Sequence, residues 1–393
     1  MNVPKLRFKE FNDEWQEYKV EEILKISNGI NKGKEFFGSG TPIINYMDVN
    51  KNELISHNIV KGLVIANSKE LETFNVKKGD ILFTRTSETS DEIGLSSSVI
   101  ENIDKCIFSG FILKGTQTKN FIHPYFGGYC FRNPKMRKEI IKHSSITTRA
   151  LTSGSLLAQM SISIPTIIEQ EKIGKTLSLL DKKIELQNKK IEDLKLFKKG
   201  LNKNIFSNFN GKYKVDELIK EYNKKTSKNN QFEVLSSTAN GITLQNEYFN
   251  KQAASPDNTG YKIVPFGFIT YRSMSDSGEF HFNIQNIIEN GIVSPAYPVF
   301  EINEDIIDKT YFVYYINENK SFKNKILSSK EGGTRYALSI SKFKEINLDL
   351  PTLEYQKKCS KLLNTYNKKI KNEENKLNKL QGLKKGLMQN MFV

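Results

Sequence analysis

Two stretches of the chain place apolar residues at alternating spacings of four and three, which is the pattern of a coiled coil. Each stretch follows a strand-like run that ends in proline, SISIPT and NLDLPT, and proline suits the first turn of a helix. The spacing predicts two long helices, over 165–206 and 351–393. The predicted seam residues are Leu177, Leu180, Ile184, Ile191 and Leu194 in the first helix, and Leu363, Tyr366, Ile370, Leu377 and Leu380 in the second.

The two stretches are copies of one another. FKKGLNKNIF, which ends at Phe206, returns as LKKGLMQNMF, which ends at Phe392, and 17 of the 42 positions aligned by an offset of 186 are identical. An earlier segment, YKVEEILK from Tyr18, also returns as YKVDELIK from Tyr213. A period of this length indicates two domain-sized copies rather than a solenoid. We therefore predict a duplicated chain with an approximate two-fold relation between its halves.

Chain connectivity predicts the direction of the two helices. A helix of about 42 residues spans roughly 63 Å at 1.5 Å per residue. The link between Phe206 and Tyr213 is short, so the second domain is expected to begin where the first helix ends. The second helix can then pair with the first only by running back along it. An antiparallel coiled coil is favoured, and the alternative is two amphipathic helices that pack on separate domains.

The large segments 1–164 and 207–350 mix short alternating apolar runs, such as GDILFTRT and GFITYRS, with polar loops and a few helical stretches. They predict two α+β domains, and the chain then consists of these domains and the two helices. The sequence contains no apolar run of about 18 residues, so we expect a soluble, cytoplasmic protein without a membrane partner. Three widely spaced cysteines, Cys106, Cys130 and Cys359, favour buried thiols over a disulfide or zinc site.

The net charge of +15 is unevenly distributed. Segments 165–206 and 351–393 together carry eleven of the fifteen excess positive charges, whereas 207–350 is neutral. One interpretation is a solvated, lysine-rich helix surface, and the other is a polyanionic partner such as double-stranded DNA. Charge alone leaves both open.

Candidate DNA contacts come from two arginine loops. In each domain a strand-like run ends in an arginine within a hydroxyl-rich loop, and arginine can read guanine with two hydrogen bonds while hydroxyls contact phosphate. A surface loop with an ordinary salt bridge is the alternative. The repeat also aligns Tyr125 with Tyr311, and a second arginine lies 24 residues after the tyrosine in each copy. This arginine is expected either to orient the loops or to touch phosphate. The candidates are Thr84, Arg85, Thr86, Ser87, Thr148 and Arg149 in the first domain, and Tyr271, Arg272, Ser273, Thr334, Arg335 and Tyr336 in the second.

Catalytic motifs are missing from the sequence. It contains no P-loop, no HExxH and no NPPY or DPPY tetrapeptide, and its four histidines are dispersed. We therefore expect no catalytic residues and no metal site in this chain. A cytosolic coiled-coil scaffold and a stand-alone DNA nuclease remain as alternatives to a DNA-recognition protein.

The opening VPKLRFKEFNDEWQEYKVEEI, the two proline-led helices and the endings FKKGLNKNIF and LKKGLMQNMF together resemble the DNA-specificity subunit of type I restriction-modification systems. The resemblance covers essentially the whole chain. It implies a non-catalytic subunit in which two target-recognition domains, separated by spacer helices, each read half of a bipartite, asymmetric DNA site. It also implies two methyltransferase subunits and two restriction subunits as partners. No cofactor is then bound by this chain, and S-adenosylmethionine, ATP and magnesium belong to those partners.

Overall fold

The computed structural model describes residues 2–146, 149–207, 209, 211–245, 257–328 and 336–393. The chain divides into two compact units, one formed by Met1–Lys189 with Glu374–Val393 and the other by Lys190–Glu373. Each unit contains one α+β domain together with parts of both long helices.

The domain of the first unit is built from short strands and short helices. Its strands are β1 (Gln16–Lys19), β2 (Leu24–Asn28), β3 (Phe37–Ile44), β4 (Leu54–Ile55), β5 (Gly62–Val64), β6 (Ile81–Thr84), β7 (Thr86–Ser87), β8 (Ser96–Val99), β9 (Ile107–Phe108), β10 (Ile112–Gln117), β11 (Ser145–Ile146), β12 (Ala150–Leu151) and β13 (Ser161–Ile164). Its helices are α1 (Val20–Ile23), α2 (Tyr46–Lys51), α3 (Ser68–Thr73), α4 (Pro124–Cys130), α5 (Pro134–His143) and α6 (Gly154–Ala158), with 3₁₀ turns at Lys34–Phe36 and Ser90–Glu92.

A five-stranded sheet forms the centre of this domain, in the order β2-β10-β6-β8-β4. Its pairs are antiparallel except for β4 with β8. Smaller sheets have the orders β5-β3-β9 and β11-β12-β7, and β1 pairs with β13 where the chain enters and leaves the domain. The largest apolar cluster packs Trp15, Phe83 and Phe126 against the sheet and helices. Burial of this apolar surface is the main favourable term in folding the domain.

Helix α7 (Ile167–Ile205) follows, and the domain of the second unit comes after it. The strands of that domain are β14 (Gly211–Lys214), β15 (Ile219–Glu221), β16 (Leu235–Thr238), β17 (Gly241–Leu244), β18 (Lys262–Pro265), β19 (Ile269–Tyr271), β20 (Met274–Ser275), β21 (Phe282–Ile284), β22 (Asn290–Val293), β23 (Val299–Ile302), β24 (Tyr336–Ala337) and β25 (Asn347–Leu350). Its helices are α8 (Val215–Leu218), α9 (Lys309–Glu318), α10 (Lys320–Ser328) and α11 (Ile340–Lys344), and α12 (Leu353–Asn390) follows.

The second domain repeats the central sheet of the first in shorter form. Its four strands are antiparallel and have the order β15-β23-β19-β21. The entry and exit strands again pair, here β14 with β25. The short helices α1 and α8 begin in the same way, because the carboxylates of Glu22 and Glu217 accept the amides of Lys19 and Lys214. This contact is half of a capping box, and it explains the repeated YKVEEI and YKVDEL segments.

The two long helices run antiparallel. In the second unit Lys190 of α7 forms an ion pair with Glu373 of α12 at 3.1 Å, and the rings of Phe197 and Tyr366 stack at 5.1 Å. Moving seven residues forward along α7 therefore moves seven residues backward along α12. The predicted α+β class and the predicted antiparallel pairing are both confirmed.

A buried glutamine fastens the first turn of each long helix to its domain. Gln170 donates to the carbonyls of Phe121 and Pro165, both at 2.9 Å, and accepts the amide of His123. The equivalent Gln356 makes the same three kinds of contact, to Ile306, Pro351 and Asp308. Both side chains are essentially inaccessible. Each one hydrogen-bonds three backbone groups, and loss of these bonds would leave the glutamine amide buried without partners, which is costly.

A phenylalanine anchors the last turn of each long helix in a domain core. In the first unit Phe392 of the chain end packs edge-on against Trp15 and stacks on Phe126. In the second unit Phe206 packs edge-on against Tyr311 and Tyr315. Both phenylalanines are 8% exposed. The last two residues of the repeated peptides, Ile205-Phe206 and Met391-Phe392, are therefore core residues of the domains.

A lysine about two turns earlier adds a polar contact to each anchor. In the first unit Lys384 bridges Glu53 at 2.8 Å and Asp181 at 2.6 Å. Burial alone would raise the pKa of Glu53, but the charges of Arg132 and Lys384 outweigh it and lower that pKa. In the second unit the equivalent lysine, Lys198, bridges Glu318 at 2.7 Å. The first lysine of each KKGL segment thus fixes the helix rotation against its domain.

We predict that the two anchors are separable. Phe392→Ala should destabilise the first unit by about 3–5 kcal/mol, the usual cost of removing a buried phenylalanine ring, and Phe206→Ala should do the same to the second unit. Hydrogen exchange followed by mass spectrometry on peptides from each domain measures the two effects. Leu383→Ala and Leu196→Ala are matched controls, because both side chains are more than half exposed. Equal acceleration of exchange in both domains by either phenylalanine variant would contradict the assignment.

Candidate nucleic-acid interface

Arg85 lies where β6 leaves the central sheet of the first domain. Its amide donates to the carbonyl of Phe111 at 2.9 Å, and its own carbonyl accepts the amide of Thr152 at 3.0 Å. The backbone is therefore held on both sides. The side chain is half-buried, and among the residues that the structure describes its hydrogen bond is a long one of 3.5 Å, from Nη1 to the carbonyl of Gly110. A fixed backbone with a weakly held guanidinium suits a group that must reach a ligand.

Thr84 and Ser87 shape the loop from inside. The hydroxyl of Thr84 donates to the carbonyl of Glu92 and accepts the amide of Leu95, both at 2.9 Å, and Thr84 is fully buried. Ser87 is 5% exposed and accepts the amide of Thr89. The prediction that these two hydroxyls contact DNA is therefore corrected, because buried groups that already bond the loop cannot also meet a ligand. Thr86 is half-buried and stays a candidate.

A short ladder joins the first arginine loop to the segment that carries the second arginine. In the first domain β7 pairs with β12, with Ser87 opposite Ala150, so the exposed Arg149 lies at the end of this ladder. In the second domain β20 pairs with β24, with Ser275 opposite the half-buried Tyr336. Thr148, Thr334 and Arg335 lie outside the described residues. The structure thus brings Arg85 and Arg149 into one paired set of loops.

Arg272 is the corresponding group of the second domain. Its side chain is exposed and makes no hydrogen bond or ion pair with another residue that the structure describes. The neighbouring Ser273 is half-buried and donates to the carbonyl of Ala296 at 2.7 Å. Tyr271 is fully buried and donates to the carbonyl of Leu338 at 3.1 Å, and burial raises its pKa. Its predicted DNA contact is corrected for the same reason as that of Thr84.

Both arginines line polar clefts. Arg272 borders a cleft of about 820 Å³ that is rich in hydroxyl groups, from Ser236, Ser237, Thr238, Ser275, Ser277 and Ser294. His281 also lines this cleft, and burial lowers its pKa despite the opposing charge of Glu279. Arg85 borders a cleft of about 700 Å³ with Ser27, Asn28 and Ser153. Ser275 and Ser277 belong to the hydroxyl-rich loop after Arg272, whereas Ser236, Ser237, Thr238 and Ser294 come from segments far apart in the chain, so sequence reasoning alone could not bring them together.

The arginine loops also carry acidic residues. Glu88, Asp91 and Glu92 are exposed in the loop after Arg85, and Asp276 and Glu279 are exposed in the loop after Arg272. Carboxylates repel phosphate but can accept hydrogen bonds from the amino group of cytosine. The local charge therefore favours contact with base edges over contact with the DNA backbone.

The predicted seam residues differ in burial. Leu177, Leu180, Ile191, Leu363 and Ile370 are buried, whereas Ile184, Leu194, Tyr366, Leu377 and Leu380 are half-buried. Other apolar residues of the helices are exposed. Among them are Phe197 and the leucines Leu179, Leu186, Leu196, Leu362 and Leu383. The seam is thus deepest where the helices lie against the domains.

The described residues contain no group of three or more histidine, cysteine or acidic side chains placed to hold a metal. All three cysteines are buried free thiols, and burial raises the pKa of Cys106 to about 12. Among the helices that the structure describes, none is long and apolar enough to cross a membrane.

A family model for the type I restriction modification DNA specificity domain matches residues 12–196 and again residues 207–382. These two matches cover most of the chain, and the chain belongs to this family. It is therefore the DNA specificity subunit of a type I restriction-modification system, and it is a non-catalytic component. This membership sets aside the scaffold and the stand-alone nuclease as alternatives.

Individual relatives agree with the family match. The chain is 24% identical, over 98% of its length and 95% of the relative, to a protein of Methanocaldococcus jannaschii described as a candidate type I restriction enzyme MjaX specificity subunit. The fold is similar to the crystal structure of the type I restriction-modification S subunit from M. genitalium, with a TM-score of 0.62, 17% identity and coverage of 100% and 99%. A chain from a structure addressing assembly and conformational transition of the type I system has a TM-score of 0.53, 12% identity and coverage of 95% and 96%.

We predict that Thr84→Val destabilises the protein by about 1–3 kcal/mol, because it leaves a buried carbonyl and a buried amide without partners. Thr86→Val, one position past the arginine, should cost much less, since Thr86 is half-buried. Thermal unfolding of both variants measures the difference. Equal stabilities would show that the hydroxyl of Thr84 does not hold the loop.

Proposed function

We propose that the two domains read the two halves of a bipartite, asymmetric site in double-stranded DNA, each through its arginine loops. Residues 1–164 and 207–350 are the proposed target-recognition domains, and 165–206 and 351–393 are the proposed spacer helices. The observation that carries the proposal is the ladder present in both domains. In the first domain β7, after Arg85, pairs with β12, after Arg149. In the second domain β20, after Arg272, pairs with β24, the strand that begins at Tyr336.

The proposed readers are Arg85 and Arg272. Each follows a buried strand of the central sheet, so its backbone position is defined. An arginine fork matches the O6 and N7 acceptors of guanine in the major groove, and nearby carboxylates suit cytosine amino groups. Thr86, Ser273 and Tyr336 complete the proposed contacts, and Arg149 and Arg335 are proposed to contact phosphate or orient the loops.

The proposed division of labour also involves charge. The helical segments carry most of the excess positive charge, whereas the second domain is neutral overall. Phosphate contacts supply sequence-independent affinity and fix register, whereas base contacts specify sequence. We therefore assign sequence reading to the domain loops and much of the phosphate attraction to the helices or to partner subunits.

The proposed assembly contains two methyltransferase subunits and two restriction subunits, acting in the cytoplasm on the DNA there. The exposed leucines of α7 and α12 are proposed as apolar contacts for the methyltransferase subunits. S-adenosylmethionine, ATP and magnesium are proposed to bind the partners and not this chain.

Arg85→Ala and Arg272→Ala should each weaken DNA binding by about 1–3 kcal/mol and relax specificity at one position, in opposite half-sites. Methylome sequencing of a host that expresses the variant with its methyltransferase subunit gives the recognised motif directly. Arg85→Lys is the matched control, because it keeps the charge but removes the two-pronged donor. It should therefore resemble Arg85→Ala in specificity.

A uniform loss of methylation over all sequences, with recovery in Arg85→Lys, would place Arg85 on phosphate instead. An unchanged motif in a well-folded Arg85→Ala variant would show that this loop does not read DNA.

Exchange of residues 1–164 for the equivalent part of another specificity subunit should change one half of the methylated motif and preserve the other. Since Phe392 and Lys384 belong to the first unit, a second version should also carry the donor's last twenty residues, 374–393. Both versions should give the same motif, and the second should be more stable. A change in both halves of the motif would contradict independent reading.

A further inference from the structure

An aromatic residue stands beside Arg85 in the first domain. Ile112 lies opposite Thr84 in the antiparallel pairing of β10 with β6, so the next position outward brings Phe111 opposite Arg85. The hydrogen bond from the amide of Arg85 to the carbonyl of Phe111 confirms this neighbourhood. Phe111 is 60% exposed, although large apolar side chains are usually buried. A rigid apolar group is thus held in solvent next to the proposed guanine reader.

The second domain has an aromatic residue at the same place. Thr270 lies opposite Val299 in the pairing of β19 with β23, and the same register carries on to Arg272 and Tyr297. Both side chains line the hydroxyl-rich cleft. Burial raises the pKa of Tyr297, and the positive charge of Arg272 opposes that shift. The bond from Ser273 to Ala296 fastens the two segments together.

The two aromatic residues are equivalent in the duplicated chain. Phe111 and Tyr297 are separated by 186 residues, the same offset that aligns the two long helices. The residue type differs, but each copy retains an aromatic ring at the position that faces its arginine. The repeated unit is therefore a pair of side chains, an arginine and an aromatic, and not the arginine alone.

We propose that Phe111 and Tyr297 each contact the C5-methyl group of a thymine that neighbours the base read by the adjacent arginine. The inference rests on the proposed function of Arg85 and Arg272. Thymine presents this methyl group in the major groove, and phenylalanine is among the side chains that recognise it by apolar contact. Opposite residues of adjacent strands have Cβ atoms about 4.5–5.5 Å apart, and successive base pairs are stacked about 3.4 Å apart, so the two long side chains can reach neighbouring base pairs at the same time.

Insertion between base pairs fits the structure less well. Aromatic wedges in DNA-binding proteins enter and unstack a base step. Phe111 is exposed enough for this, but Tyr297 is half-buried in the wall of a cleft and can offer only part of its ring. A surface contact with a methyl group is available to both residues. The carboxylates of both loops also disfavour a contact with phosphate at this place.

The test uses the full chain in complex with its methyltransferase subunit and duplexes that carry the recognised motif. Each thymine of the motif is replaced singly by deoxyuridine, which removes only the C5-methyl group. For the wild-type complex we expect one thymine in each half-site whose replacement weakens binding about four-fold, the effect of exposing one methyl-sized group. Phe111→Ala should abolish that sensitivity in one half-site, and Tyr297→Ala should abolish it in the other.

Three further variants sharpen the result. Phe111→Leu and Tyr297→Phe keep an apolar contact and should retain most of the methyl sensitivity. Phe266→Ala removes a phenylalanine that is as exposed as Phe111, at 61%, but follows β18 instead of facing an arginine. It should leave both half-sites unchanged.

Persistence of the deoxyuridine effect in Phe111→Ala and Tyr297→Ala would overturn the proposal, as would a motif without any methyl-sensitive thymine. A loss of binding that is equal for all duplexes would also overturn it, and would indicate a wedge or a backbone contact. If Arg85→Ala still changes the motif in these cases, only the thymine contact fails. If neither the arginine nor the aromatic variants change the motif, the proposed reading loops themselves are wrong.

Discussion

The seating of one phenylalanine at the end of each long helix is the interaction on which the remaining structure depends. Phe392 completes the core around Trp15 and Phe126, and Phe206 completes the core around Tyr311 and Tyr315. A buried aromatic ring contributes a large apolar area, so each domain depends on a residue that lies outside its own continuous segment. The repeated peptide ending in phenylalanine is thus explained by packing.

Polar contacts add direction to this apolar anchoring. The apolar ring holds the end of each helix, and a lysine, Lys198 in α7 and Lys384 in α12, limits rotation about the helix axis. A glutamine, Gln170 in α7 and Gln356 in α12, fixes the first turn. Apolar contacts alone are non-directional, and a hydrogen-bonded group accepts few geometries. The loops with Arg85 and Arg272 are in turn carried by strands of the cores that these contacts complete.

The sequence predicted the helices and their direction well, and the site only in part. A heptad pattern sustained over many turns has few structural explanations, and a short connection leaves one direction for the return helix. By contrast, depth within a sheet cannot be seen from a short loop, so Thr84 and Tyr271 looked like surface groups although they are buried. Phe111 lies 26 residues from Arg85, and only strand register, which a single sequence does not reveal, places them together.

The burial of the three cysteines has a practical consequence. A thiol reacts through its thiolate form, and desolvation raises the pKa of Cys106, Cys130 and Cys359 alike. At neutral pH these side chains are therefore poor nucleophiles, and they are shielded from oxidants and alkylating reagents. A single cysteine introduced on the surface would then take up a maleimide fluorophore or a nitroxide selectively. The native protein is in effect already a cysteine-free background for spectroscopic labelling.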